Sequence, residues 1–153
     1  MILACVCLVA VVQTVQGEPL PVISDLESAV QTAREQSAPL LVAFTLTRCP
    51  YCRTARRDYW APMNGSEKWR GKVVMVELEL DGVTTVRDFE GKTTTARDFA
   101  QRFGVRSVPT VIVFDAQGVP AASPLIGLAS GDFYGLYLER AIEAGLTKMR
   151  TTQ

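Results

Sequence analysis

The chain has 153 residues, 48% of them hydrophobic and 21% charged, which fits one ordinary globular domain and excludes a disordered segment or two full cores. Its 16 lysines and arginines are balanced by 16 aspartates and glutamates with no long run of either sign, so nothing points to nucleic acid or an anionic lipid surface as a partner. Histidine is absent, which removes histidine-dependent triads, histidine general bases and histidine metal ligands.

Residues 1–17, MILACVCLVAVVQTVQG, carry no charge and hold an apolar run from Ile2 to Val12. Such a run is too short to span a bilayer and has the size of a signal-peptide core. Val15-Gln16-Gly17 has the small-x-small pattern of a cleavage site, although no Lys or Arg stands near Met1. A buried first element is one alternative. A lipid anchor at Cys5 is another, but too little hydrophobic sequence precedes that residue. The expectation is an exported protein with a signal peptide over 1–17 and one domain over 18–153. Cys5 and Cys7 would then leave with the signal, and the mature chain would keep Cys49 and Cys52.

Ser24-Asp25-Leu26-Glu27 reads as a capping box, and Leu26, Ala29, Val30 and Ala33 recur at helical spacing up to a stop before Pro39. Leu40 to Leu46 is a short apolar run suited to a buried strand, and it delivers the chain to Arg48-Cys49-Pro50-Tyr51-Cys52. Pro50 fits the first turn of a helix, whose apolar face is marked by Ala55, Tyr59 and Trp60. Lys72 to Gly82 alternates as a strand with one face partly open to water. Val83 to Thr94 reads as an irregular insertion containing a short turn of helix. Thr95 to Asp98 is a second capping box, opening a helix through Phe99, Ala100 and Phe103 to Gly104. Thr110 to Phe114, a turn at Asp115 to Gly118, and a strand near Leu125 make an antiparallel hairpin. A last helix starts at Ser130 to Asp132, with Phe133, Leu136, Tyr137, Ala141 and Ile142 as its core stripe. This order implies an α/β domain: a mixed central sheet with helices on both faces.

A Cys49–Cys52 bridge closes a tiny loop and constrains little of the unfolded chain, so it is a poor structural staple. In an oxidising compartment such a pair is better read as redox chemistry. A zinc site would need about four ligands, which the mature chain lacks, and two inert thiols would sit in apolar rather than arginine-rich surroundings. Cys49, at the helix start beside Arg48, Arg53, Arg56 and Arg57, is the expected nucleophile; Cys52, one turn inward, is the expected resolving thiol. No nucleotide, flavin, metal or other cofactor is implied by any motif.

The strand and CPYC helix start, followed by Val108-Pro109-Thr110 ahead of a hairpin, resemble the thioredoxin superfamily from about Leu26 to Leu146. The resemblance implies a cis Pro109 beside the dithiol, with Pro109 and the backbone of Val108 binding an extended substrate. Cys49-Pro50-Tyr51-Cys52 is similar to the glutaredoxin dithiol, whereas Phe114 to Gly118 is similar to the thioredoxin hairpin. Arg48 stands where thioredoxins commonly carry a tryptophan. The usual acidic position before the dithiol is apolar here, in Val42-Ala43-Phe44, and Glu77 falls near the place of a buried lysine. Glu77 is therefore either a proton relay for Cys52 or a solvent-facing residue on an alternating strand. Tyr51 and Arg48 are further candidates for setting potential and partner choice. The insertion and the leader resemble exported members, such as the periplasmic thiol–disulfide oxidoreductases of bacterial sulfur-oxidation (Sox) operons. That resemblance implies a monomeric periplasmic reductase of protein disulfides, acting on a sulfur-carrier protein and recharged by a membrane thiol donor. A disulfide oxidase or isomerase and a redox-inert polypeptide-binding module are the alternatives.

Overall fold

Leu40–Thr45 (β1) is buried along its whole length, and a strand buried on both faces is expected to be paired on both edges. It is, in a four-stranded mixed sheet of order β2-β1-β5-β6, where β2 is Val74–Glu79, β5 is Thr110–Phe114 and β6 is Leu125–Ile126. β2 runs parallel to β1, from Leu40 opposite Val74 to Thr45 opposite Glu79. β5 runs antiparallel, from Leu40 opposite Phe114 to Phe44 opposite Thr110. The structure, a computed structural model, describes residues 17–82, 85–128 and 131–151. The expected signal segment, apart from Gly17, lies outside the described residues, as do Cys5, Cys7, Ser130 and, within the expected insertion, Val83 and Thr84.

One face of the sheet is covered by Leu26–Glu35 (α1) and Ala96–Arg102 (α4), which bring Leu26, Val30 and Phe99 onto Val42, Phe44 and Ile112. The other face is covered by the helix that follows Cys49 and by Gly131–Thr151 (α5), which bring Trp60, Leu138 and Ile142 onto Leu41, Ala43 and Val111. α5 approaches the sheet so closely at Gly145 that a Cβ there would stand 2.7 Å from the ring of Pro39. Both predicted N-termini hold with one adjustment. Thr95 caps α4 by accepting from the Asp98 amide at 3.0 Å, but α1 is capped by Asp25, not Ser24, through the Ser28 amide at 2.9 Å.

Three sequence expectations are corrected. The segment after β2 holds no helical turn among its described residues; Val86–Arg87 (β3) and Thr93–Thr94 (β4) pair as a small antiparallel hairpin. Its Val86 and Phe89 are buried against Phe99 and Phe114, which ordinary polar-looking flanks concealed. In α5 the core stripe is Tyr134, Leu138, Ala141 and Ile142, while Phe133, Leu136 and Tyr137 are exposed. Apolar residues surround the first turns of α5, so spacing alone did not choose the buried side. Finally, both faces of β2 are buried in its middle, because the N-terminal segment lies along its outer edge: the Glu77 amide donates to Pro21 and the Ile23 amide to Glu77, each at 2.9 Å.

Two buried aspartates organise turns by the same device. Asp88 accepts from the Glu90 and Lys92 amides and from Arg102; Asp115 accepts from the Gln117 and Val119 amides and pairs with Lys148 at 2.7 Å. Burial pushes each carboxyl up, but these donors outweigh it and hold both below the usual carboxylate range. A depressed folded value means that the stabilisation is complete above the unfolded pKa and lost as pH falls through the folded one. Asp115→Ala is expected to cost about 2–3 kcal/mol at neutral pH, read from urea midpoints, because buried amides and an ammonium lose a charged acceptor. The difference from the parent protein should shrink once the pH drops below about 3.9.

Candidate active site

The pairing of β1 with both β2 and β5 puts three loops at one end of the sheet: Leu46 to Cys49 leaving β1, Leu80 and Asp81 leaving β2, and Val108-Pro109 entering β5. Asp81 fastens the first two together, since its Oδ1 accepts from the Thr47 amide at 2.9 Å and from the Thr47 hydroxyl at 3.1 Å. The Thr47 bonds hold the Asp81 carboxyl below the ordinary range.

Cys49 occupies the N-cap of Pro50–Ala55 (α2), with extended backbone and its Sγ accepting from the Cys52 amide at 3.1 Å. Pro50 takes the first helical position, where no amide hydrogen bond is forfeited. Cys49 and Cys52 form a disulfide with a Cα–Cα separation of 5.2 Å. Cys52 is fully buried, Cys49 is half-buried and Tyr51 is 67% exposed. The outer sulfur is thus the one a second molecule can reach.

Beyond α2 the helix continues as a widened π-helical turn, Arg56–Trp60, and then Ala61–Asn64 (α3). The Ala61 amide bonds back five residues, to the Arg56 carbonyl. The widening falls just ahead of Pro62, whose ring in a regular helix would collide with the Asp58 carbonyl. Pro62 thus lies inside the helix, which ends at Asn64 with Gly65 as its C-cap.

Glu77 is 2% exposed, which overturns the solvent-facing reading of this residue. It lies opposite Ala43 on the face of β2 turned toward α2 and its π-helical extension. Its Oε1 accepts from Arg56 Nε at 2.8 Å and from the Thr45 hydroxyl at 2.5 Å, and its Oε2 from Arg56 Nε at 3.0 Å. Arg56 Nη2 also donates to Oε1, and it reaches Glu79 at 3.4 Å. A buried carboxylate needs such pairing to remain charged. Arg56 follows Cys52 by one helical turn, and among the described residues Glu77 makes no hydrogen bond to that cysteine. Sequence reading missed Thr45 and the specific role of Arg56. The available signal was one glutamate in a strand of apolar residues, with an arginine four places after the second cysteine.

The arginines near the dithiol divide by partner. Arg56 is occupied by Glu77 and Glu79, and Arg57 by Asp58. Arg48 and Arg53 line a hollow of about 210 Å³ with Thr47, Cys49 and Pro50. The Val108–Pro109 bond is cis, and the Pro109 carbonyl accepts from the Gly127 amide at 2.7 Å. Pro109 is buried and Val108 half-buried, at the end of the sheet that carries Cys49. Chemically, this end offers an accessible sulfur bonded to an enclosed one, at a helix N-terminus beside an irregular backbone edge.

Residues 26–141 match the family of thioredoxin-like domains. Among solved structures, a poplar thioredoxin h mutant is similar at 16% identity over 92% of this chain and 93% of its own, with a TM-score of 0.59. A thioredoxin of Malassezia sympodialis is similar at 17% identity over 90% of this chain and 99% of its own, with a TM-score of 0.58. Fasciola hepatica thioredoxin follows at 16% identity over 81% and 97%, with a TM-score of 0.53. No curated protein matches the sequence. Likeness at these identities carries the fold, and a cysteine pair of this spacing within it supports thiol–disulfide exchange in general. With its four-stranded mixed sheet, flanking helices and Cys49–Cys52 disulfide, the chain belongs to the family of thioredoxin-like domains.

Proposed function

We propose that this protein is a periplasmic thiol–disulfide oxidoreductase that works as a reductase of protein disulfides. The observation that carries the reading is the Cys49–Cys52 disulfide with half-buried Cys49 at a helix N-cap and Cys52 fully buried one turn inward. In the reduced protein, the Cys49 thiolate keeps the Cys52 amide as a donor and gains from the helix dipole and from Arg48 and Arg53. It attacks one sulfur of a substrate disulfide, and the other leaves as a thiolate that takes up a proton. Cys52, deprotonated, then attacks the Cys49 sulfur of the mixed disulfide, releasing the second substrate thiol and leaving the Cys49–Cys52 disulfide. Two electrons pass to the substrate, and a dithiol donor, a membrane thiol protein in this reading, returns them. The backbone of Val108, shaped by Pro109, aligns the substrate, and exposed Tyr51, two residues after Cys49, sets partner choice. In the sulfur-oxidation setting that the sequence resembles, the substrate is the cysteine of a sulfur-carrier protein held in a mixed disulfide.

Cys52→Ser is expected to accumulate mixed disulfides on Cys49 in periplasmic extract, whereas Cys49→Ser should accumulate none; equal trapping by both, or by neither, overturns the exchange mechanism. Equilibration against glutathione buffers should give a reduction potential on the order of −250 mV or lower. A value near the −120 mV of strong oxidants would make the protein an oxidase instead.

Glu77 and Arg56 are positioning residues in this scheme. Glu77→Gln leaves Arg56 with only its 3.4 Å contact to Glu79, one turn from Cys52, and the less compensated cation favours the Cys52 thiolate. The expected result is a rising limb of the exchange profile, where Cys52 becomes the attacking thiolate, moved to lower pH. A rate and a profile both unchanged would remove the role.

A further inference from the structure

The chain is neutral as a whole, yet its redox end is not. Arg48, Arg53, Arg97 and Arg106 are all exposed there. Arg48 and Arg53 flank Cys49 in the smaller hollow. Arg97 and Arg106 rim a larger cleft of about 630 Å³ on the other side of the Leu46–Thr47 turn, floored by Leu46, Leu80 and Val108. Among the described residues Arg48, Arg53 and Arg106 make no ion pair or side-chain hydrogen bond, and Arg97 has only the longer-range attraction of Asp81. Elsewhere the guanidiniums are mostly occupied: Arg57 by Asp58, Arg70 by Glu67, Arg87 by Glu27 and Arg102 by Asp88. Asp81 is the nearby carboxylate, and its Oδ1 is already taken by Thr47.

A second observation lies in the larger cleft itself. The amide and carbonyl of Val108 carry no hydrogen bond among the described residues, although β5 is paired from Thr110 onward. An unpaired backbone edge accepts an extended chain, and free guanidiniums on either side accept carboxylates in bidentate geometry.

We propose, resting on the exchange function above, that the substrate disulfide lies in an extended segment with acidic residues on both sides of its cysteine. The segment pairs with Val108, an apolar side chain next to the disulfide enters the cleft over Leu46 and Leu80, and Asp or Glu side chains meet Arg48 and Arg53 on one flank and Arg97 and Arg106 on the other. The four arginines select the partner; the dithiol performs the exchange.

The test uses the full-length reduced protein and three disulfides: uncharged hydroxyethyl disulfide and two peptide disulfides that differ in carrying Glu or Lys around the cysteine. The acidic peptide should be reduced at a kcat/KM at least about tenfold above the basic one at low ionic strength. The preference should collapse near 1 M salt, where the screening length is about 3 Å. Arg97→Gln together with Arg106→Gln should raise KM for the acidic peptide and flatten its salt dependence. Equal rates for the two peptides, with hydroxyethyl disulfide reduced, overturn the substrate assignment and leave the exchange function standing. A preference insensitive to both salt and the double variant also overturns it. Failure to reduce any of the three brings down the exchange function itself.

Discussion

A strand with no exposed residue has to satisfy its backbone on both edges, and β1 meets that requirement between parallel β2 and antiparallel β5. The two directions have a consequence for chemistry. A parallel neighbour ends at the same side as β1, and an antiparallel neighbour begins there. The exits of β1 and β2 and the entrance of β5 therefore gather at one end of the sheet, although Cys49, Asp81 and Pro109 are far apart in sequence. Helix packing on both faces then holds that end in place, so the dithiol is presented by a rigid frame.

Burial of a charge is the second constraint. Glu77 projects into a layer otherwise made of Leu41, Ala43, Trp60 and Met75, and an isolated carboxylate there would lose its hydration without return. Arg56 and Thr45 supply the compensation, and the π-helical turn that accommodates Pro62 begins at Arg56 itself. The N-terminal segment closes the arrangement from outside by bonding both backbone groups of Glu77. Opposite Glu77, Ala43 leaves the small side chain that lets a carboxylate and a guanidinium fit beneath the helix.

The surface at this end is built on the opposite principle. Away from the dithiol most arginines spend their charge locally, in pairs that stabilise little in water. Around Cys49 and Val108 the guanidiniums of Arg48, Arg53 and Arg106 make no ion pair, and the amide and carbonyl of Val108 carry no hydrogen bond, among the described residues. Guanidiniums without an internal partner keep their full charge, and their gathering at this end gives a protein of zero net charge a basic face.

Local signals were legible in the sequence because they depend on near neighbours. Leu40 to Leu46 read as a strand, the CPYC helix start, the capping of α4 by Thr95, and the hairpin after Pro109 all rest on propensity, spacing and turn chemistry over a few residues. The face of α5 did not, because apolar residues ring its first turns and the sheet alone selected Tyr134 and Leu138 over Phe133 and Tyr137. Glu77 did not either: alternation assigns a side but not what covers it, and only the N-terminal segment and the redox helix, folded over that side, made it interior. The sequence by itself determined an α/β fold carrying a cysteine pair at a helix start, since hydrophobic period and cysteine spacing are local. Which charges are buried, which are paired and which stay unpaired at the surface was decided by tertiary structure, because the energy of a charge is set by its surroundings in space.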